Sequence, residues 1–238
     1  MDFEELNYRT AAAGQAQVAA AFPALMRKVY VWMTLALVIT GFTAYIVASS
    51  QSLLSLIYTT PAVMWILIIA ELAIVIGVSA AINRLSLSVA TLLFVLYSVI
   101  NGALFSSIFL VYTMSSIAKV FFITAGTFAA MSIYGYTTKS DLTSWGKLLF
   151  MALIGLIIAT VVNLFLKSSG LEMILSYAGV LIFVGLTAYD TQKIKQMCLQ
   201  APDAGETMQK YALLGALSLY LDFINIFIYL LRIFGSRE

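Results

Sequence analysis

The sequence predicts an all-α, polytopic membrane protein with seven transmembrane helices, the last of them central in the bundle. Three observations point there. The 238-residue chain is 62% hydrophobic and only 10% charged, whereas soluble domains carry about a quarter charged residues. Its apolar runs are long and continuous, unlike the ~10-residue alternating segments of a membrane β-barrel. Seven of these runs approach the length of about 20 residues that a helix needs to cross a bilayer.

The elements follow in chain order. A segment over 1–27 opens with Asp2, Glu4 and Glu5 and continues into an alanine-rich stretch. It lacks the pattern of a cleavable signal peptide, so the first apolar helix is read as directing insertion and staying in place. The seven-helix domain covers 28–235. Its spans are expected at 29–49, 62–82, 87–112, 120–136, 148–166, 173–189 and 211–233, with a tail at 236–238. The third span is long enough to tilt. Ser98, Gly102 and Ser106 recur along it every four residues, a close-packing pattern for membrane helices. Pro23, Pro61 and Pro202 all fall outside the spans, so no helix is expected to carry a proline kink. Trp32, Trp65 and Trp145 fall near the expected interfaces and read as belt residues.

Orientation follows from loop charge. Of the 13 lysines and arginines, all but Lys119, Lys167, Arg232 and Arg237 fall on the side of the amino terminus. Cytoplasmic loops carry the excess of positive charge, so the amino terminus is cytoplasmic. The short tails and the absence of a retention signal point to a bacterial inner membrane.

Bulk properties exclude several roles. A net charge of +2 is too small to argue for a nucleic-acid partner. The single cysteine, Cys198, excludes an internal disulfide framework and a cysteine-rich metal site. With no histidine in the chain, a pH response near neutrality falls to carboxylates, the thiol or the amino terminus. No bound cofactor is expected.

The seventh span carries the clearest functional signal. Stepping by four and three gives Tyr211, Gly215, Ser218, Asp222, Asn225, Tyr229 and Arg232, all polar or small, with mainly Leu, Ile, Ala and Phe between them. That spacing places the set on one helix face. Such a face belongs against other helices or a water-filled cavity rather than lipid. For Asn225 and Tyr229 the alternative is a hydrogen-bonding seam that joins helices. Asp222 fits that alternative less well, because a mid-helix carboxylate costs roughly 2.5–3.5 kcal/mol on insertion scales.

A second carboxylate, Asp190, ends the sixth span in "GLTAYDTQKIK". Asp222 lies roughly 16 Å into the seventh span at 1.5 Å per residue. For the two to meet, the sixth helix must continue through Lys193, with the lysines snorkelling to the interface. Two like charges in a poorly solvated site do not both ionise easily, so they share one proton. The doubly ionised pair repels, or accepts a hard cation such as Ca²⁺. Asp190 and Asp222 are thus read as a proton sensor and a metal (cation) site together.

These residues resemble the Bax inhibitor family, the transmembrane Bax inhibitor motif proteins. The likeness rests on "GLTAYDTQKIK" and "LSLYLDFINIFIYLLRIFG", with "VINGALFSSIF" and "TTKSDLTSWGKLL" in support, and spans about 27–235. The resemblance implies seven helices with the last surrounded by the other six, and a pH-sensitive calcium leak. It implies that Asp190 and Asp222 are the paired aspartates and that Glu71, in "IIAELAIVIG", forms a gating ion pair with Arg232. An arginine latch at the cytoplasmic end of the second span falls at Arg84. Read from the residues alone, Glu71 is a costly mid-helix carboxylate that approaches Arg232 at similar depth or else bonds a hydroxyl, while Arg232 snorkels to the headgroups. Asn225, Tyr229, Ser218 and Asn101 are candidates to line a pathway, although hydrogen bonds between helices are the commoner use of Asn101.

The expected function is therefore a calcium (cation) leak channel gated by protons, embedded in lipid, and not an enzyme. Three other readings compete. Intramembrane aspartyl proteases also place "YD" in one helix and an aspartate in the next, but their second site resembles a Gly-x-Gly-Asp pattern, and here it reads "LYLD". A retinal protein needs a lysine inside the last helix, and none lies between Lys210 and Arg232. A regulator that acts on partner membrane proteins without conducting ions is the remaining alternative.

Overall fold

The computed structural model describes residues 3–200 and 205–236, with side chains from residue 16 onward. Asp2, Pro202 and Arg237 lie outside the described residues, as do the side chains of Glu4, Glu5 and Arg9. The described residues form helices α1 (Phe3–Ala48), α2 (Gln51–Thr59), α3 (Pro61–Ala81), α4 (Leu87–Phe105), α5 (Ile108–Val111), α6 (Met114–Thr137), α7 (Thr143–Leu166), α8 (Ser169–Leu199) and α9 (Glu206–Phe234). Seven helical stretches are long and apolar enough to span a bilayer, and they match the seven expected spans. The chain is a polytopic all-α membrane protein.

Several boundaries differ from the sequence reading, each for a physical reason. The first helix does not begin near residue 28, and its apolar stretch starts at Ala16. It runs through Pro23, against the expectation that every proline lies outside the spans. The alanine-rich sequence around Pro23 favours helix, against the lost backbone bond and the ring clash that an interior proline costs. Pro61 instead opens α3 at its first turn, where the missing N–H would have had no partner. The third span is not one tilted helix. It breaks at Ser106 and Ser107, between α4 and α5. The Tyr58 hydroxyl donates to the Leu104 carbonyl at 2.8 Å and lies 3.1 Å from Ser106 Oγ, so α2 takes up polar groups at the break. The gap before the fourth span shrinks to Tyr112 and Thr113, because the Thr113 side chain caps α6 by accepting from the Ser116 N–H.

The chain divides into two compact units. The first comprises Met1–Ser106 and Lys193–Leu217, and the second Ser107–Gln192 and Ser218–Glu238. In the first, α1 packs along α4, α4 along α3, and α2 touches both α1 and α3. The small-residue stripe on α4 makes the α1 contact close. The Thr40 hydroxyl donates to the Ser98 carbonyl at 3.0 Å. A Cβ added at Gly102 would fall 2.5 Å from the Thr40 carbonyl oxygen, so only glycine fits there. In the second unit α8 packs against both α6 and α7. Gly135 of α6 lies on the Ala188 backbone, Gly146 of α7 lies on the Tyr189 ring, and Gly185 of α8 accepts Leu149.

Burial separates the spans. In the most apolar window of α9, 67% of residues are buried, against 6% for α3 and for α7. Large apolar side chains such as Ile66, Ile69 and Ile76 on α3 and Phe165 on α7 are exposed, as a lipid-facing surface requires. Trp65 and Trp145 are exposed among them.

Candidate functional site

The site is built on α8 and α9. The sixth span was expected to end at Tyr189, but α8 continues to Leu199. Gln, Lys and Met favour helix. Ile194 and Cys198, one turn apart, bury their side chains while Lys193 and Gln196 stay exposed. Asp190 consequently lies inside the helix, the condition set above for it to approach Asp222.

The stretch around Asp190 is held tightly. Ala188 and Tyr189 are contacted by the glycines of α6 and α7 described above. The Thr191 hydroxyl donates to Ser132 Oγ at 3.4 Å. Gln192 clasps the loop between α6 and α7 with both ends of its amide. Its Oε1 accepts from the Leu142 N–H at 2.9 Å, and its Nε2 donates to the Ser140 carbonyl at 2.8 Å. A carboxyl carried on such a segment has little freedom to move away from a neighbour.

Asp222 sits at the middle of α9 and is 4% exposed. Its Oδ2 is buried and has no hydrogen-bond partner among the described residues. Asp190, half-buried, lies close enough for its charge to act on Asp222. Next to Asp222, Phe223 packs on Phe121 and Phe128 of α6, with ring centroids 5.4 and 5.5 Å apart. Phe227, one turn further on, also meets Phe121. The aspartate pair thus borders an aromatic cluster that sequence reasoning missed, because phenylalanines in an apolar helix carry no distinguishing pattern.

The rest of the α9 stripe is only partly buried. Gly215 and Asp222 are fully buried, Tyr211, Ser218, Asn225 and Tyr229 are half-buried, and Arg232 is exposed. Asn225 donates to the Leu221 carbonyl of its own helix at 2.8 Å. Tyr229 stacks on Phe183 of α8, and the Arg232 guanidinium lies over the Tyr229 ring, 5.5 Å from its centroid.

Glu71 is half-buried on α3. It accepts from the Tyr97 hydroxyl at 2.9 Å and from the Asn101 amide, both on α4. This is the hydroxyl alternative named above. Tyr97 was missed as a partner, although its position four residues before Asn101 puts the two on one face. Asn101 is spent on Glu71 and on Tyr97 Oη, and its Oδ1 has no partner among the described residues. Glu71 and Arg232 belong to different units, and each has a partner within its own. Arg84 is exposed in the turn after α3, where its N–H donates to the Ala81 carbonyl.

Calcium takes 6–8 oxygen ligands. Among the described residues no three His, Cys, Asp or Glu side chains cluster to hold a metal ion. Asp190 and Asp222 offer at most four carboxylate oxygens toward such a shell, the remainder falling to backbone carbonyls or water.

Residues 23–238 match the family model described as "Inhibitor of apoptosis-promoting Bax1". "Inner membrane protein YbhL" of Escherichia coli is 54% identical over 215 residues, covering 90% of this chain and 92% of that protein. An uncharacterized protein of Borreliella burgdorferi is 45% identical over 213 residues, covering 90% and 92%. One from Rickettsia prowazekii, also 45% identical over 213 residues, covers 90% and 89%.

Proposed function

This chain belongs to the family of inhibitors of apoptosis-promoting Bax1, and from that premise we propose that it is a pH-sensitive calcium leak channel. It is an integral protein of a bacterial inner membrane, a placement its seven spans and its inner-membrane relative support. What carries the functional reading is one observation: Asp222 is buried mid-span, with a carboxylate oxygen that has no hydrogen-bond partner among the described residues, and within reach of the Asp190 charge.

The mechanism follows from that pair. With one proton between them, the two carboxyls attract each other and α8 and α9 stay closely packed. With the proton gone, two like charges in a medium of low dielectric repel. The repulsion is relieved by separation, by water or by a hard cation. The Gln192 clasp and the Gly135 and Gly146 contacts hold Asp190 in place, so the displacement falls on α9 and the aromatic cluster around Phe223. Glu71, held by Tyr97 and Asn101, and Arg232, held over the Tyr229 ring, act as charged restraints on opening, each within its own unit. The carboxylates act on protons and calcium, and no covalent chemistry on a substrate is proposed.

Calcium entry into proteoliposomes, measured across pH with the purified full chain, tests this. Asp222→Asn is expected to flatten the dependence of flux on pH, and Asp190→Asn to shift it. A flux-versus-pH curve that neither substitution alters would refute the proposal. The absence of any flux from the native chain in liposomes would favour a regulator of other membrane proteins instead.

A further inference from the structure

A cavity in the membrane region shares Arg232 with the proposed restraint but is otherwise separate from the aspartate pair. It measures about 440 Å³ and is lined by Thr160, Asn163 and Lys167 at the end of α7, by Ser169 and Glu172 at the start of α8, and by Arg232 near the end of α9. That volume is in the range of small-molecule sites. Three charged side chains, two basic and one acidic, thus line one space. Among the described residues none of the three forms an ion pair with another.

Local structure fixes the backbone at Lys167 and the direction of Arg232. Lys167 ends α7 in the left-handed conformation, with φ of 49°. Its N–H donates to the Asn163 carbonyl at 2.8 Å, and the Asn163 side chain accepts from the Ser168 N–H at 3.1 Å. Arg232 is drawn over the Tyr229 ring. A carboxylate in the first turn of a helix complements the helix dipole, which accounts for the sign of Glu172. It does not account for two cations lining the same cavity.

We propose that this cavity binds the headgroup of a phospholipid carrying a primary amine, of the phosphatidylethanolamine class. The phosphate is matched by Lys167 and Arg232, since arginine and lysine form strong charge-assisted bonds to phosphate. The ammonium is matched by Glu172. The occupant is a lipid rather than a soluble phosphate ester, because the cavity opens where apolar side chains face the bilayer. Leu164 and Leu175 complete its lining, and Phe165, Leu166 and Ile174 beside it are exposed. By the loop charges this is the non-cytoplasmic end of the spans.

Native mass spectrometry of the full chain in detergent, titrated with short-chain phospholipids, tests the assignment without any ion flux. The native chain is expected to bind phosphatidylethanolamine about tenfold more tightly than phosphatidylcholine or phosphatidylglycerol, the value of one charge-assisted hydrogen bond. Glu172→Gln should remove that preference. Lys167→Asn, which tolerates the left-handed backbone, should weaken all three lipids. Equal binding of the three lipids by the native chain overturns the proposal, whether or not the variants fold. A preference that survives Glu172→Gln also overturns it, as does glycerophosphoethanolamine binding as tightly as the lipid.

Discussion

Tyr97 on α4 donates its phenolic O–H to Glu71 on α3 at 2.9 Å, and Asn101, one turn further along α4, donates to the same carboxyl oxygen. The carboxyl is thereby solvated from within the protein, where lipid offers no donor. Tyr97→Phe removes one of the two donors, and the expected loss is about 1–3 kcal/mol of stability. Glu71→Leu combined with Tyr97→Phe should cost less than the two single losses added together, since both partners of one bond go at once. The recovery is partial because Asn101 loses both of its acceptors. Thermal unfolding of the single and double variants in detergent checks this. A double variant less stable than the sum of the two singles contradicts it.

Gly179 and Tyr229 make a second prediction. A Cβ added at Gly179 would fall 2.5 Å from the Tyr229 ring, and stacking on Phe183 limits the ring's retreat. Gly179→Ala should cost about 1–3 kcal/mol through overpacking. Gly155→Ala, where nothing lies within 4 Å, should be neutral or slightly stabilising because alanine favours helix. In a double-mutant cycle, Tyr229→Leu should relieve the Gly179→Ala penalty by at least about 0.5 kcal/mol.

The α7 amino terminus should respond to acid. Asp141 lies just before α7 and accepts from the Thr143 hydroxyl at 2.6 Å and the Thr143 N–H at 2.9 Å. The hydroxyl bond is the main reason its carboxyl is held below the ordinary carboxylate range, with the backbone bond next. Because its folded value is depressed, its contribution is fully present above the unfolded value of about 3.9. That contribution is lost as pH falls through the lower folded value. Amide exchange at Thr143 should therefore stay protected down to about pH 4 and rise below it. Asp141→Ala should expose that amide at every pH. Equal protection in both proteins would show that the cap does not hold the amide.

Much of this architecture was legible because the bilayer imposes it. Every buried backbone group must be satisfied within a helix, so seven apolar runs became seven spans. Asp222 was legible because a lone carboxylate in "LSLYLDFINIFIYLLRIFG" contradicts its surroundings. The Ser98, Gly102 and Ser106 stripe was legible because small residues every four positions have few uses other than close approach. What escaped was set by tertiary contacts. The nine-residue α2 is too short to span, and the break at Ser106 carries no proline or glycine. The extension of α8 past Asp190 was hidden by the polar "TQKIKQ", which reads as a loop until Ile194 and Cys198 are seen to be buried. The partners of Glu71 were hidden because periodicity along one helix does not say which neighbour it meets.

The last prediction separates a working Asp222 from a structural one. A side chain that holds helices together destabilises the fold when removed, whereas one kept for function is a liability to stability. Asp222 is buried with an oxygen that finds no donor among the described residues, and such an atom costs about 1–3 kcal/mol. Replacing it with an apolar residue should return that energy, less whatever overpacking the new side chain causes. Asp222→Val is therefore expected to unfold at higher temperature than the native protein at alkaline pH, where the native pair repels, while losing pH-dependent calcium flux. Asp190→Val should behave differently, because Asp190 is half-buried and pays less for its charge. Thermal unfolding and flux measured on the same preparations decide the matter. A fall in stability for Asp222→Val at alkaline pH, where no shared proton joins the pair, would mean that Asp222 binds other neighbours, and the proton-gated reading would lose its main support.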